Sequence, residues 1–266
     1  MAKHWDALVL NDYEAVMPLT WNRKYGINYI HQPFLAAQLG LFGKNISAEL
    51  LEAFLHSIPS KFNYWDFYLN RGNVFVLRDF KLYLRSNYIL DLNKSYNELV
   101  KGYRENIQRN IKKAEQTGCR PGKGFEAEKV IGLAVRQMNT YSHESKENVN
   151  RFRKLYEVLH DKQQATTYGI FSAREELLAS CIFFFSHNRA YYILVGNHPD
   201  GRTIGASHAL IDAFIKDHAG KNMILDFEGS DIRNLAFFYS SFGAIEEKFA
   251  GIKLNRLPFY LKWLKK

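Results

Sequence analysis

Three groups of residues have the types and spacing to do chemistry. The first is Arg202, Gly205, Ala206 and Ser207, which follow the apolar run Ala190–Asn197 and begin a segment where Ala206, Ala209, Leu210, Ala213 and Phe214 recur at helical spacing. The expected order is strand, tight loop, helix, and an open helix start offers backbone N–H groups that can hold a phosphate. Asn197 ends the strand beside that seat. The second group is Asp226, Glu228 and Tyr239. Carboxylates two apart on a strand face one side, so either can accept a proton from a nucleophile, while a phenol can give one up. A solvated strand end and a tyrosine packed in the core are the competing accounts. The third group, Arg109, Lys112 and Lys113, suits the phosphate of a nucleotide-linked precursor or the backbone of tRNA. A solvated helix face explains the same charges.

The elements that must position these groups are legible as periods. Residues 5–10 and 13–18 read as short strands around Asn11-Asp12, a hairpin. Ser47 is the expected N-cap of a helix with Leu50, Leu51, Phe54, Leu55 and Ile58 on one face, stopped by Pro59. Runs over 64–69 and 74–92 read as strands, with Arg71–Asn73 as a turn. Ser95-Tyr-Asn-Glu98 has capping-box spacing, and Leu99, Tyr103, Ile107, Ile111 and Ala114 carry a helical period up to Gly118. One long amphipathic helix is expected there, followed by a linker at Cys119–Gly124. Two helices (near 127–138 and 149–159), a three-stranded meander (164–173, 177–187 and 190–197), then helix, strand, helix and strand complete the order. The fold class is therefore α/β with a mixed sheet.

Composition narrows the classes. Hydrophobic residues make 47% of the 266, which excludes disorder, and the net charge is +9. That charge favours anionic partners, and it is spread over both sides of Gly122 instead of forming a nucleic-acid arm. Cys119 and Cys181 lie far apart without a CxxC, and the histidines lack metal-ligand spacing, so no metal site is expected. The first residues lack the apolar core of a signal peptide, and the longest apolar strand is too short to cross a bilayer as a helix, so a cytoplasmic location is the expectation. The aromatic and basic end, Leu257–Lys266, fits peripheral contact with an anionic membrane or, more simply, packing of Phe259, Trp263 and Leu264 on the second domain.

Two motifs in order carry a resemblance. Arg109-Asn-Ile-Lys-Lys-Ala114 is similar to the R-x-N-I-x-K-A type signature of FemAB/FemX-like peptidyltransferases, a branch of the GNAT acyltransferase superfamily. Asp226-Phe-Glu-Gly-Ser230 followed by Phe242-Gly-Ala244 resembles the same family's aspartate-rich strand end and aromatic-Gly turn. The likeness covers about residues 90–254, and more loosely the first half through Ala15–Thr20 and Gln32-Pro-Phe34. It implies two GNAT-like domains, here 1–122 (reduced at its start) and 123–266, joined by the long helix and short linker.

In function the resemblance implies an N-acyltransferase moving an aminoacyl or acyl group to an amine, commonly in peptidoglycan precursor synthesis. The co-substrate would be aminoacyl-tRNA or acyl-CoA, with no covalently bound cofactor. Many members carry lysine where this chain has Tyr239. Tyr239-x-x-x-Gly243 is instead the spacing by which many GNAT acetyltransferases present a tyrosine to the departing CoA thiolate, and Arg202–Ser207 approximates their CoA loop. Direct attack is the implied mechanism, with Tyr239 as acid, Asp226 or Glu228 as base, and Arg202, Gly205, Ala206, Ser207 and Asn197 on the donor. A plain acyl-CoA acetyltransferase and a GNAT-fold binding protein without catalysis are the alternatives. The sequence leaves the oligomeric state open.

Overall fold

The computed structural model describes residues 2–139 and 145–259. The chain begins with β1 (His4–Leu10), β2 (Ala15–Lys24), β3 (Ile27–His31), β4 (Phe42–Gly43), α1 (Ala48–His56), β5 (Phe62–Tyr68) and β6 (Leu82–Asp91). Next come α2 (Tyr96–Lys101), α3 (Glu105–Gln116), β7 (Arg120–Lys123), α4 (Ala127–Asn139), α5 (Lys146–Asp161), β8 (Ala165–Phe171), β9 (Leu177–Ser186) and β10 (Arg189–Asn197). The last are α6 (Pro199–Ile204), α7 (Ala206–His218), β11 (Ile224–Asp226), α8 (Arg233–Ser240) and β12 (Ile245–Asn255). Two compact units result, one of residues 1–86 with 247–266 and one of residues 87–246.

In the first unit β1 and β2 form the expected hairpin, in register from His4↔Trp21 to Leu10↔Ala15, with Asn11 and Tyr13 taking positive φ in the turn. The strand order is β1-β2-β3-β5-β12, with β4 on β2, and β3 runs parallel to β5. Ser47 caps α1 by accepting from the Leu50 N–H. Leu51, Phe54 and Leu55 of that helix pack with Met17, Leu19, Trp65 and Phe67 in a continuous apolar core, as the helical and strand periods require. Of the stretch 74–92 expected as strand, only residues 82–91 pair.

The second unit has strand order β6-β11-β10-β9-β8-β7. β10 pairs parallel with β11 while its other neighbour, β9, is antiparallel, so the sheet is of mixed orientation. Its core gathers Ile107, Phe183, Tyr192, Leu210, Phe214, Phe227 and Phe242, with Phe183 stacked on Phe214 at 3.7 Å between ring centroids.

Four expectations change here. The single long helix is two, because Gly102 ends α2, Arg104 donates its backbone N–H to the Ser241 carbonyl, and Tyr103 turns inward to bond Asp212 at 3.0 Å. Tyr96 donates to the same buried carboxylate, so α2 and the connection that follows it are tied to α7 by one acid. Cys119–Gly124 is no linker, since residues 120–123 form β7 and pair with β8 from Arg120↔Phe171 to Lys123↔Tyr168. The chain accordingly passes from one unit to the other at Ser86/Asn87 and Glu246/Glu247, and the boundary expected at Gly122 falls inside the second unit. At the chain end Leu257 is buried but Phe259 is 86% exposed, contrary to the packing expected of it. Trp263 and Leu264 lie outside the described residues.

Candidate active site

The site begins where two parallel neighbours part. β10 pairs with β11 only through Arg189↔Ile224, Ala190↔Leu225 and Tyr191↔Asp226, and then β11 ends while β10 runs on to Asn197. A register shift between Tyr192 and Leu194 against β9 falls at the same point. Beyond it opens a cavity of about 420 Å³. β10 contributes Tyr192, Val195 and Asn197 to its wall, α4 adds Gln137, and Leu235, Phe238 and Tyr239 come from α8. Arg202, Gly205, Ser207 and His208, around the start of α7, complete the other side.

Tyr239 is buried, its ring stacked on Phe227 at 4.5 Å and edge-on to Tyr192 at 6.4 Å. Burial pushes its phenol up to about 12, so it carries its proton at neutral pH. No hydrogen bond of its hydroxyl is found among the described residues, although the ring lines the cavity. Ser207 donates to the Asn197 side chain at 2.6 Å, and the Asn197 backbone N–H donates to Gln137 at 2.6 Å. Three elements are thus pinned around one wall.

The loop expected before α7 is helical instead. His198 caps α6 and Pro199 occupies its first turn, where a proline is preorganised. Gly205, at φ +81°, then joins α6 to α7. A Cβ there would lie 2.5 Å from the Asn110 carbonyl oxygen of α3, so the glycine serves a close helix approach as well as the left-handed turn. Ala206 is fully buried, whereas Arg202 is exposed at the rim.

Asp226 and Glu228 do not act as a pair on one strand face. β11 stops at Asp226, and Glu228 has φ +61°, which breaks the alternation. Asp226 is buried, paired with Arg189 at 2.5 Å, and accepts from the Asn87 side chain and the Glu228 backbone N–H. Neither carboxylate lines the cavity. The basic group on α3 also divides: Lys113 donates to the Thr203 carbonyl at 2.8 Å, holding the end of α6, while Arg109 and Lys112 are exposed. Cys181 is fully buried, and burial pushes its thiol well up, so it is no ready nucleophile.

Residues 101–231 match the family model of the acetyltransferase (GNAT) domain. That segment, just under half of the chain, is similar to GNAT acyltransferase domains. Among solved structures FemX superposes with a TM-score of 0.63 at 12% identity, covering 98% of this chain and 90% of that one. L-PGS from Bacillus licheniformis does so with 0.59 at 10% identity, covering 98% and 87%. The C-terminal domain of a putative lysylphosphatidylglycerol synthetase from Agrobacterium fabrum gives 0.58 at 8% identity, covering 96% and 84%. At such identities the likeness is one of fold. No curated protein matches the sequence.

The matched GNAT segment contains the parting strands and the start of α7, while Tyr239 lies eight residues beyond its end. Sequence reasoning missed Gln137, Tyr192 and His208 in the cavity wall. Tyr192 falls within the expected strand 190–197 and His208 is one of nine histidines; the available signal is its position directly after Ser207. Elsewhere, Glu52, His56 and Asp79 bring ligand-type atoms within 4.8 Å of one another. There His56 bonds Asp79 at 2.9 Å and Glu52 accepts the Asp79 backbone N–H, which ties α1 to the segment after β5. No described helix is long and apolar enough to cross a membrane.

Proposed function

We propose that this chain is an N-acyltransferase of the FemX-like GNAT type, in which an acyl or aminoacyl group on a phosphate-bearing carrier lies in the cavity and an amine attacks it directly. The observation that carries this is the parting of β10 from β11, with a protonated, unpartnered Tyr239 in the space so opened. Attack forms the nitrogen–carbon bond and moves the carbonyl pair to oxygen. Collapse then breaks the bond to the carrier's sulfur or oxygen, and Tyr239 hands its proton to that departing atom. The proton shed by the nitrogen restores the phenol through solvent. Arg202, at the rim beside Gly205 and Ser207, supplies the positive charge for a carrier phosphate. Coenzyme A and tRNA both meet that description. The resemblance to FemX-like proteins makes a peptidoglycan precursor the first acceptor to try, and Arg109 and Lys112 are the exposed cations offered to its phosphates.

The test is a mass-spectrometric search for amide product, using acyl-CoAs and aminoacyl-tRNAs as donors and amines including peptidoglycan precursors as acceptors. With the productive pair, Tyr239→Phe is expected to lower kcat on the order of 100-fold while donor KM stays within about threefold. Unchanged turnover in that variant removes Tyr239 from the mechanism. Failure of both donor classes to bind or react ends the acyltransferase reading.

A further inference from the structure

The cavity wall contains a polar atom that the protein itself does not satisfy. His208 lies on the first turn of α7, with its ring edge-on to Phe238 at 4.9 Å and tilted to Phe242 at 6.4 Å. Its Nδ1 is enclosed by protein with no hydrogen-bond partner, and among the described buried side-chain atoms it alone is in that condition. Nε2 is not so enclosed, and the residue lines the cavity beside Tyr192 and Tyr239.

These two facts fix the tautomer. An enclosed N–H without an acceptor is costlier than an enclosed lone pair, so the hydrogen belongs on Nε2. Burial also opposes a second proton on the ring, pulling its pKa down to about 4, and the imidazole is neutral under physiological conditions. A neutral N–H held between two phenylalanines at the cavity wall is a preorganised donor for an oxygen that gains charge during reaction.

Resting on the acyl-transfer reading of this cavity, we propose that His208 donates its Nε2–H to the carbonyl oxygen of the bound acyl group and holds the oxyanion formed on attack. As the amine nitrogen bonds to the carbonyl carbon, the π pair moves to oxygen and the hydrogen bond from His208 strengthens. When the bond to the carrier breaks, the pair returns to carbon–oxygen bonding. His208 keeps its proton throughout, and the leaving group takes its proton from Tyr239.

Two unreactive probes test this without turnover: a ketone analogue of acetyl-CoA and an amide-linked aminoacyl-adenosine, each added to protein with ¹⁵N-labelled histidine. Binding of either is expected to move the His208 Nε2 proton downfield and slow its exchange. In turnover, His208→Phe should lower kcat on the order of 100-fold with donor KM nearly constant, and His208→Gln, which retains a side-chain N–H, should recover at least about tenfold of that loss. A folded His208→Phe protein with wild-type kcat overturns the proposal, as does probe binding that leaves the Nε2 proton unmoved. Both results leave the acyltransferase reading standing. A wild-type protein that binds neither probe and transfers nothing takes both readings down.

Discussion

Asp226 and His208 show opposite fates of a polar group near one cavity. Asp226 is enclosed with Arg189, Asn87 and the Glu228 N–H as partners, so its lone pairs are engaged in holding β10, β6 and the end of β11 together. Removing one member of a buried ion pair strands the other, at a cost of about 3–5 kcal/mol. Asp226→Asn is therefore expected to lower the unfolding free energy read from urea titration by an amount of that order, with loss of activity following loss of fold. A variant of wild-type stability and no turnover would instead restore Asp226 as the base. His208 gives a pH prediction with a definite sign. Its folded pKa, about 4, lies below the ordinary histidine value, so between those values the unfolded chain binds more protons. This contribution is fully present above the unfolded pKa and is lost as pH falls from about 6.5 toward 4. Burial lowers His218 as well, so wild type should weaken over that window and His208→Gln should weaken less, as read from urea midpoints at pH 7 and pH 4.5.

At the scale of elements, the start of α7 does two jobs. Gly205 lets α6 turn into α7 and lets α3 approach to the Asn110 carbonyl, and Lys113 of α3 holds the end of α6. Gly205→Ala places a methyl group 2.5 Å from that carbonyl oxygen in a left-handed backbone. The expected cost is about 1–3 kcal/mol for the backbone strain alone, measured by thermal or urea unfolding, with weaker donor binding as a consequence. Unchanged stability with lost donor affinity would mark Gly205 as a contact to the donor instead. In the broken helix, Tyr96 and Tyr103 both reach Asp212, which holds the stretch around the break against α7. Here the Arg104 N–H is drawn to Ser241, and the axis turns.

For the whole molecule, the division into two units sets a test of where the donor binds. The cavity, α7, α8 and the parting strands all belong to the unit of residues 87–246. Saturating donor analogue should therefore slow amide hydrogen exchange across β10, the start of α7 and α8, and leave the β1–β2 hairpin and α1 of the other unit unchanged. Protection confined to residues 4–56 would place the donor elsewhere. The positive net charge acts at this scale too. A phosphate-bearing carrier should show a KM that rises with added salt, and a neutral small ester should not.

Periodicity in the sequence determined the hairpin at Asn11-Asp12, the helix capped by Ser47, the capping box at Ser95, the meander of three strands and the helix–strand–helix–strand ending. Each rests on contacts a few residues apart or on a repeating apolar face, which local chemistry writes directly. The strand at 190–197 and the helix from Ala206 were likewise legible, but the expected turn between them is the helix α6. Tertiary structure alone decided what those parts touch. β7 forms because residues 120–123 find the open edge of β8, and Asp226 turns inward because Arg189 and Asn87 arrive from other strands. His208 became a candidate only when α8 closed over its ring and left one nitrogen enclosed without a partner. Enclosure is set by residues distant in sequence, so no spacing along the chain announces it.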